Sequence, residues 1–297
     1  MSFPGHAPLP PGSLIGVFAP AGPMDAERLA RVPALYESFG YRCRLYPCCA
    51  PREGYLAGPD AARLADLHAA LADPEVAAVH ALRGGYGCLR ILADVDAGLV
   101  RRAHKPLIGY SDLTALHALW AREGVPTLHA PMAASDLIRP EREADRDAFF
   151  AALRSGLPSG TVLAPELLPG GLRVPGVATG RIVGGNLSLV STLLGTPWAW
   201  DARGALLFLE EVGEATYRVD RLLAHLRLAG VLEAAAGFVL GTFTEADDPA
   251  AELRDAFERL GKPVLGGWPS GHGTPNRPLP LGVVATLDAT AGTITLG

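Results

Sequence analysis

Val76-Ala-Ala-Val-His-Ala81 leads through Leu82 into Arg83-Gly-Gly-Tyr-Gly87, and Pro106-Leu-Ile-Gly109 leads in the same way into Tyr110-Ser-Asp112. Each is a short apolar run that ends in turn residues, the pattern of a strand buried on both faces. Each is followed by a helical pattern, one from about Cys88 and one from Ser111-Asp112 to about Glu123. Upstream, Ser13–Pro20 is a further buried strand closed by the turn Ala19-Pro-Ala-Gly-Pro23. Asp25 to Phe39 has helical spacing with Gly40 at the C′ position. Tyr41–Leu45 alternates like a strand, Asp60 N-caps a helix to Ala72, and Val125–His129 is one more strand. Strand and helix alternate with short connections, which predicts a parallel sheet covered by helices on both faces.

After a helix over Asp145–Arg154 the texture changes. Residues 156–177 are rich in Gly, Pro and Leu without a sustained period and read as a linker between domains. The fold class is therefore α/β: an N-terminal parallel-sheet α/β domain over 1–155 and a second, smaller α+β domain over 178–297. The latter mixes strand-like pieces (Thr179–Val183, Ala205–Leu209, Ala236–Leu240, Val283–Leu287, Thr293–Leu296) with helices near Leu187–Leu194 and Tyr217–Ala229.

Composition narrows the function classes. The chain has 297 residues, enough to bury one large core or two modest ones without metal or disulfides. A net charge of −5, with arginine pairs such as Arg101-Arg102 interrupted by acidic residues, argues against a nucleic-acid footprint. No apolar run of about 18 residues is present, so no membrane partner is expected. Met1 to Pro11 lacks the basic start of a signal peptide. Cys43, Cys48, Cys49 and Cys88 match neither a zinc site nor a CxxC pair, and they read as free thiols in a reducing, cytoplasmic compartment. No HExxH or similar spacing occurs, so neither metal nor cofactor is expected.

Four places can carry chemistry. Ser111 stands where a strand ends and a helix begins, at the carboxyl edge of a sheet where ligands bind, although GYSD is not G-x-S-x-G and a plain helix cap accounts for the same residues. Arg83-Gly-Gly-Tyr-Gly87 lets backbone N–H groups approach a ligand, as an oxyanion hole or a phosphate cradle does, and a simple tight turn reads the same way. Leu206-Leu-Phe-Leu-Glu-Glu-Val212 is an apolar strand ending in two carboxylates, at a cleft or at a solvated loop. His272, in Trp268-Pro-Ser-Gly-His-Gly-Thr274, lies on a glycine-flanked loop where packing does not easily explain it, and imidazole is a suitable base near neutral pH. The remaining histidines have plainer readings: His68, His117 and His225 on helices, His80 and His129 in or beside strands, His6 and His104 at exposed loop or terminal positions.

Together these segments resemble the LD-carboxypeptidase family (muramoyltetrapeptide carboxypeptidases), which includes microcin C immunity peptidases. The resemblance is carried by Gly16-Val-Phe-Ala-Pro-Ala-Gly-Pro23, Arg83-Gly-Gly-Tyr-Gly87 and Gly109-Tyr-Ser-Asp112. It continues with Gly184-Gly-Asn-Leu187, Phe208-Leu-Glu-Glu211, and Gly271-His-Gly-Thr-Pro-Asn276 running into Leu279-Pro-Leu-Gly282. They follow the family's order over nearly the whole chain. The resemblance implies a nucleophile at Ser111 in the N-terminal domain, and an acid at Glu210 and a histidine at His272 in the C-terminal one. Glu211 is an alternative for the acid. It also implies oxyanion donors at Asp112 and Gly85, and a homodimer.

The implied activity is serine-type hydrolysis of an L,D-peptide bond, releasing the terminal D-alanine of a murein tetrapeptide during cell-wall peptide recycling. Gly84, Arg83, Arg218 and Asn186 are candidates for contacting this small peptide substrate. Two alternatives are carried: a microcin C-type immunity peptidase using Trp198 or Trp200 as a nucleobase platform, and a non-catalytic small-ligand-binding α/β protein.

Overall fold

The computed structural model describes residues 7–50 and 52–297; His6, expected at an exposed terminus, lies outside them. The buried runs expected of a parallel sheet are strands β1 (Leu14–Phe18), β2 (Arg42–Leu45), β3 (Val76–Ala81), β4 (Leu107–Gly109) and β5 (Thr127–His129). All five residues of β1 are buried, because helices cover both faces of the sheet. The helix over Ala26–Ser38 is capped by Asp25, whose carboxylate accepts from the Arg28 amide at 2.8 Å. At Asp60 the expectation differs: Asp60 is the first helical residue after Pro59, and its carboxylate pairs with Arg63 and Arg90 instead of capping.

Further along the chain lie β6 (Val162–Leu163), β7 (Arg173–Val174), β8 (Val177–Asn186), β9 (Leu206–Val212), β10 (Gly237–Thr244) and β11 (Val264–Gly266), followed by β12 (Leu279–Leu281), β13 (Val284–Asp288) and β14 (Thr293–Leu296). They form an eight-stranded sheet in the order β6-β14-β13-β8-β9-β10-β11-β7, except for β12. Its centre, β8 to β11, is parallel; β13, β14, β6 and β7 flank it antiparallel. The stretch read as a linker over 156–177 thus supplies β6 and β7, which lie at the two edges of this sheet. Two-residue strands among prolines and glycines are too short to show a period, so only their pairing reveals them.

β12 leaves the second sheet and joins the first, antiparallel to β5, giving the order β12-β5-β4-β3-β1-β2. Pro280 is tolerated there because β12 is an edge strand. The chain between β11 and β12 therefore bridges the two sheets, and it carries His272. In β10 the register with β9 shifts between Leu240 and Phe243, and this irregularity lies against the same segment: the Thr242 amide donates to Ser270 O at 3.0 Å.

A fully buried arginine, unmarked in the sequence, joins the loops at the carboxyl edge of the first sheet. Arg63 donates to Gly58 O and Gly87 O at 3.1 Å each, and also to Pro20 O and to Asp60. Arg63→Leu is expected to destabilise the protein by about 3 kcal/mol or more, since the buried carbonyls lose their donors. A urea denaturation series against wild type measures this.

Candidate active site

The site forms where the ends of β3, β4 and β9 meet the β11–β12 segment. Ser111 is the second residue after β4 and takes a left-handed backbone, φ 65°. A non-glycine residue held there is strained, and a sharp strand-to-helix turn of this kind projects a hydroxyl clear of the sheet edge. Ser111 does not act as a helix cap: the cap position before the short helix Ser111–Leu113 belongs to Tyr110, with no side-chain cap bond.

Ser111 Oγ lies 3.0 Å from His272 Nε2, and His272 Nδ1 lies 2.7 Å from Glu210 Oε2. With the proton on Nδ1 directed at the carboxylate, Nε2 is free to accept from the serine hydroxyl. Burial disfavours the charged imidazole, but the charge of Glu210 and its hydrogen bond outweigh this and raise the His272 pKa above its usual value. Glu210 itself is completely buried. Tyr110 walls the imidazole edge-on, with ring centroids 4.8 Å apart, and its hydroxyl donates to Asp136 at 3.1 Å.

Glu211 points elsewhere. Its oxygens accept from Asn186 Nδ2 at 2.7 Å, from the Ser188 hydroxyl at 2.7 Å and from the Ser188 amide at 2.8 Å. It therefore fastens the start of the helix Leu187–Thr192, and Glu210 is the carboxylate that meets the histidine.

The glycine loop after β3 packs directly on the serine. A Cβ on Gly84 would lie 3.0 Å from Ser111 Cβ and 3.1 Å from its Oγ, so only glycine fits without displacing the hydroxyl. The loop is held in two ways. Gly22 N donates to Gly84 O at 3.1 Å, and Arg83 donates to Pro23 O at 3.1 Å and to Gly84 O at 3.2 Å. From the other side the buried Asp112 carboxylate accepts from the Cys88 amide at 2.7 Å. Burial raises the Asp112 pKa and the Cys88 amide draws it back. The backbone amides of Gly85 and Asp112, the expected oxyanion donors, thus lie on segments tied to each other and to Ser111.

The other two expected substrate contacts are used differently. Asn186 is buried and its amide is engaged at both ends, donating to Glu211 and accepting from the Leu189 amide at 3.3 Å, so it serves the scaffold. Arg218 is held at the exposed surface by Glu214 and the Tyr217 hydroxyl. Trp200 is largely buried in the core, with its Nε1 unpartnered among the described residues, and Trp198 packs against that core. His80, His117 and His129 are buried, and burial depresses the pKa of each, that of His80 to about 3.

Arg142 and Asp145, which no local motif marked, hold the histidine loop together with Asn276 of the loop itself. Arg142 donates to Gly273 O at 2.6 Å and to Asp145 at 3.0 Å. Asp145 accepts from the Asn276 amide at 2.9 Å, and Asn276 Oδ1 accepts from the Gly271 amide at 3.1 Å. All three side chains are buried. Gly271 has φ 125°, and a Cβ there would come within 2.5 Å of Thr242 Oγ1. Residues 142 and 145 lie far from His272 in sequence, so only the fold reveals their connection.

A strained serine on an imidazole–carboxylate pair, at the carboxyl edge of a parallel sheet, defines the class as a serine-type hydrolase. Comparison with known proteins agrees. Residues 15–130 match the model of the LD-carboxypeptidase N-terminal domain and residues 179–287 that of the LD-carboxypeptidase C-terminal domain. The "Probable murein peptide carboxypeptidase" of Bacillus subtilis is 37% identical, over 93% of this chain and 89% of its own length. The "Murein tetrapeptide carboxypeptidase" of Pseudomonas aeruginosa is 34% identical, over 92% of each chain. The crystal structure of muramoyltetrapeptide carboxypeptidase from Oxalobacter formigenes superposes with a TM-score of 0.84 at 31% identity, over 95% of this chain and 97% of that one. The chain belongs to the LD-carboxypeptidase family.

Three outcomes follow from the geometry. Gly84→Ala is expected to leave the melting temperature near that of wild type while lowering kcat/KM about 100-fold, the scale of an ångström-level misplacement of a reacting group. Steady-state kinetics beside a thermal melt separates the two effects. Because His272 must be neutral to accept a proton, activity falls as pH drops through its raised pKa, so the acid limb of kcat/KM lies at higher pH than an ordinary histidine would give. Glu210→Gln removes the charge that raises this pKa. Its residual activity, reduced about 10⁴-fold, is expected to show the acid limb moved to lower pH.

Proposed function

We propose that the protein is a serine carboxypeptidase that hydrolyses an L,D-peptide bond and releases the terminal D-alanine of murein tetrapeptides, for the recycling of cell-wall peptides. The observation that carries this reading is the continuous contact from Ser111 Oγ through His272 to Glu210. In the mechanism, Ser111 Oγ attacks the carbonyl carbon of the scissile bond while His272 Nε2 takes its proton. Glu210 holds the imidazole tautomer and stabilises its charged form. The amides of Gly85 and Asp112 receive the developing oxyanion. His272 then protonates the departing amine of D-alanine, and water, deprotonated by the same imidazole, cleaves the acyl-enzyme.

The names of the murein carboxypeptidase relatives support the substrate class, since the resemblance to them spans nearly the whole length of both chains. An exopeptidase must also distinguish a free terminal carboxylate. We place the enzyme in the cytoplasm as a homodimer. The cysteines are free, and burial raises the thiol of Cys43 to about 12 and that of Cys48 to about 11, so they suit a reducing compartment as inert core residues.

The deciding experiment is D-alanine release from purified murein tetrapeptide. Ser111→Ala is expected to abolish it, with a fall of at least about 10⁴-fold, while retaining the fold. Undiminished release by Ser111→Ala would overturn the assignment.

A further inference from the structure

A cavity of about 700 Å³ opens beside the site, between the turn after β1 and the loop after β3, and reaches Gly85. Its charged and aromatic lining consists of Arg28, Arg52, Arg83, Asp25, Tyr55 and Tyr86. Three guanidinium groups thus face one carboxylate, in a chain whose net charge is −5. The carboxylate is already engaged: Asp25 caps its helix at the Arg28 amide and lies 3.4 Å from Arg28 Nε. Arg52 gives Nε to Gly54 O at 3.0 Å, and no carboxylate among the described residues pairs with it. Arg83 spends Nη1 and Nε on Pro23 O and Gly84 O, and its Nη2 lies on the side facing Gly85. A planar donor fork with unused N–H groups is suited to bidentate capture of a carboxylate.

Tyr55 and Tyr86 add the second feature. They are 63% and 46% exposed, and their ring centroids are 5.8 Å apart. Large aromatic side chains left in contact with solvent at the rim of a cavity offer apolar area with polar tips, as ligand-binding surfaces do.

The volume decides which part of a substrate belongs here. A carboxypeptidase releases one residue, whereas a cavity of this size falls in the range that holds a ligand of several residues. We infer that this chamber is the subsite for the retained, acyl-side body of the peptide, and that it selects bodies bearing carboxylates through Arg52, Arg83 and the Tyr55–Tyr86 pair. This inference rests on the peptidase reading above, but its test separates the two.

The test uses two peptides ending in D-alanine after an L-residue, identical except that the carboxylates of the acyl portion are free in one and amidated in the other. Wild type is expected to prefer the acidic peptide by at least tenfold in kcat/KM, and rising salt is expected to erode that preference. Arg52→Gln is expected to shrink the preference roughly tenfold, mainly through KM, the scale of a charge-assisted hydrogen bond, and Arg52→Lys to restore part of it. An equal loss on both peptides, or no preference in wild type, would overturn the subsite while leaving the peptidase assignment standing. Calorimetry with Ser111→Ala gives a readout independent of turnover. Binding of the acidic peptide that Arg52→Gln weakens, without hydrolysis by wild type, would remove the peptidase reading and with it the acyl-side assignment, leaving only a carboxylate-binding surface. Absence of both binding and hydrolysis removes both.

Discussion

The structure depends on a single crossing of the chain. After β11 the backbone leaves the second sheet, carries His272 across the gap and re-enters the first sheet as β12 against β5. Both ends of the segment are thereby pinned by main-chain hydrogen bonding, and its interior is fixed to Arg142, Asp145 and Thr242. A catalytic contact between sheets is only as well defined as the segment spanning them, and here that segment has little freedom left to lose on binding substrate.

The cost of this arrangement is local. Ser111 occupies a left-handed backbone, Gly271 occupies another conformation that side chains rarely adopt, and Glu210 is buried with one oxygen, Oε1, lacking a hydrogen-bond partner among the described residues. Such features persist where the surrounding structure over-determines them. The bonds from Asp112 to Cys88 and from Gly22 to Gly84 provide that surrounding structure. Strain, burial and the raised basicity of His272 are therefore parts of one device: a carboxylate kept from water polarises an imidazole that is kept against a hydroxyl.

The two consecutive glutamates at the end of β9 illustrate how a strand divides labour. Successive side chains of a strand point to opposite faces. Glu210 therefore reaches the histidine, while Glu211 reaches the amides and hydroxyl at the start of the next helix. The same alternation explains why exchanging their roles would require the strand to slip by one residue, exchanging the side chains packed on its two buried faces.

Much was legible in the sequence. Apolar runs closed by glycine turns marked β1, β3 and β4, because a strand buried on both faces is apolar throughout. Ser111, His272 and Glu210 stood out by their settings at a strand end or on a glycine-flanked loop, and the ordered motifs pointed to the family. Tertiary structure alone decided the rest. The edge strands β6, β7 and β12 are too short to carry a period, so the segment read as a linker became part of a sheet. Arg63, Arg142 and Asp145 look like ordinary surface charges until the fold buries them. The chamber lined by Arg28, Arg52 and Arg83 joins segments distant along the chain. Periodicity records what each residue faces locally, whereas burial and charge pairing depend on neighbours that the chain brings together only when it folds.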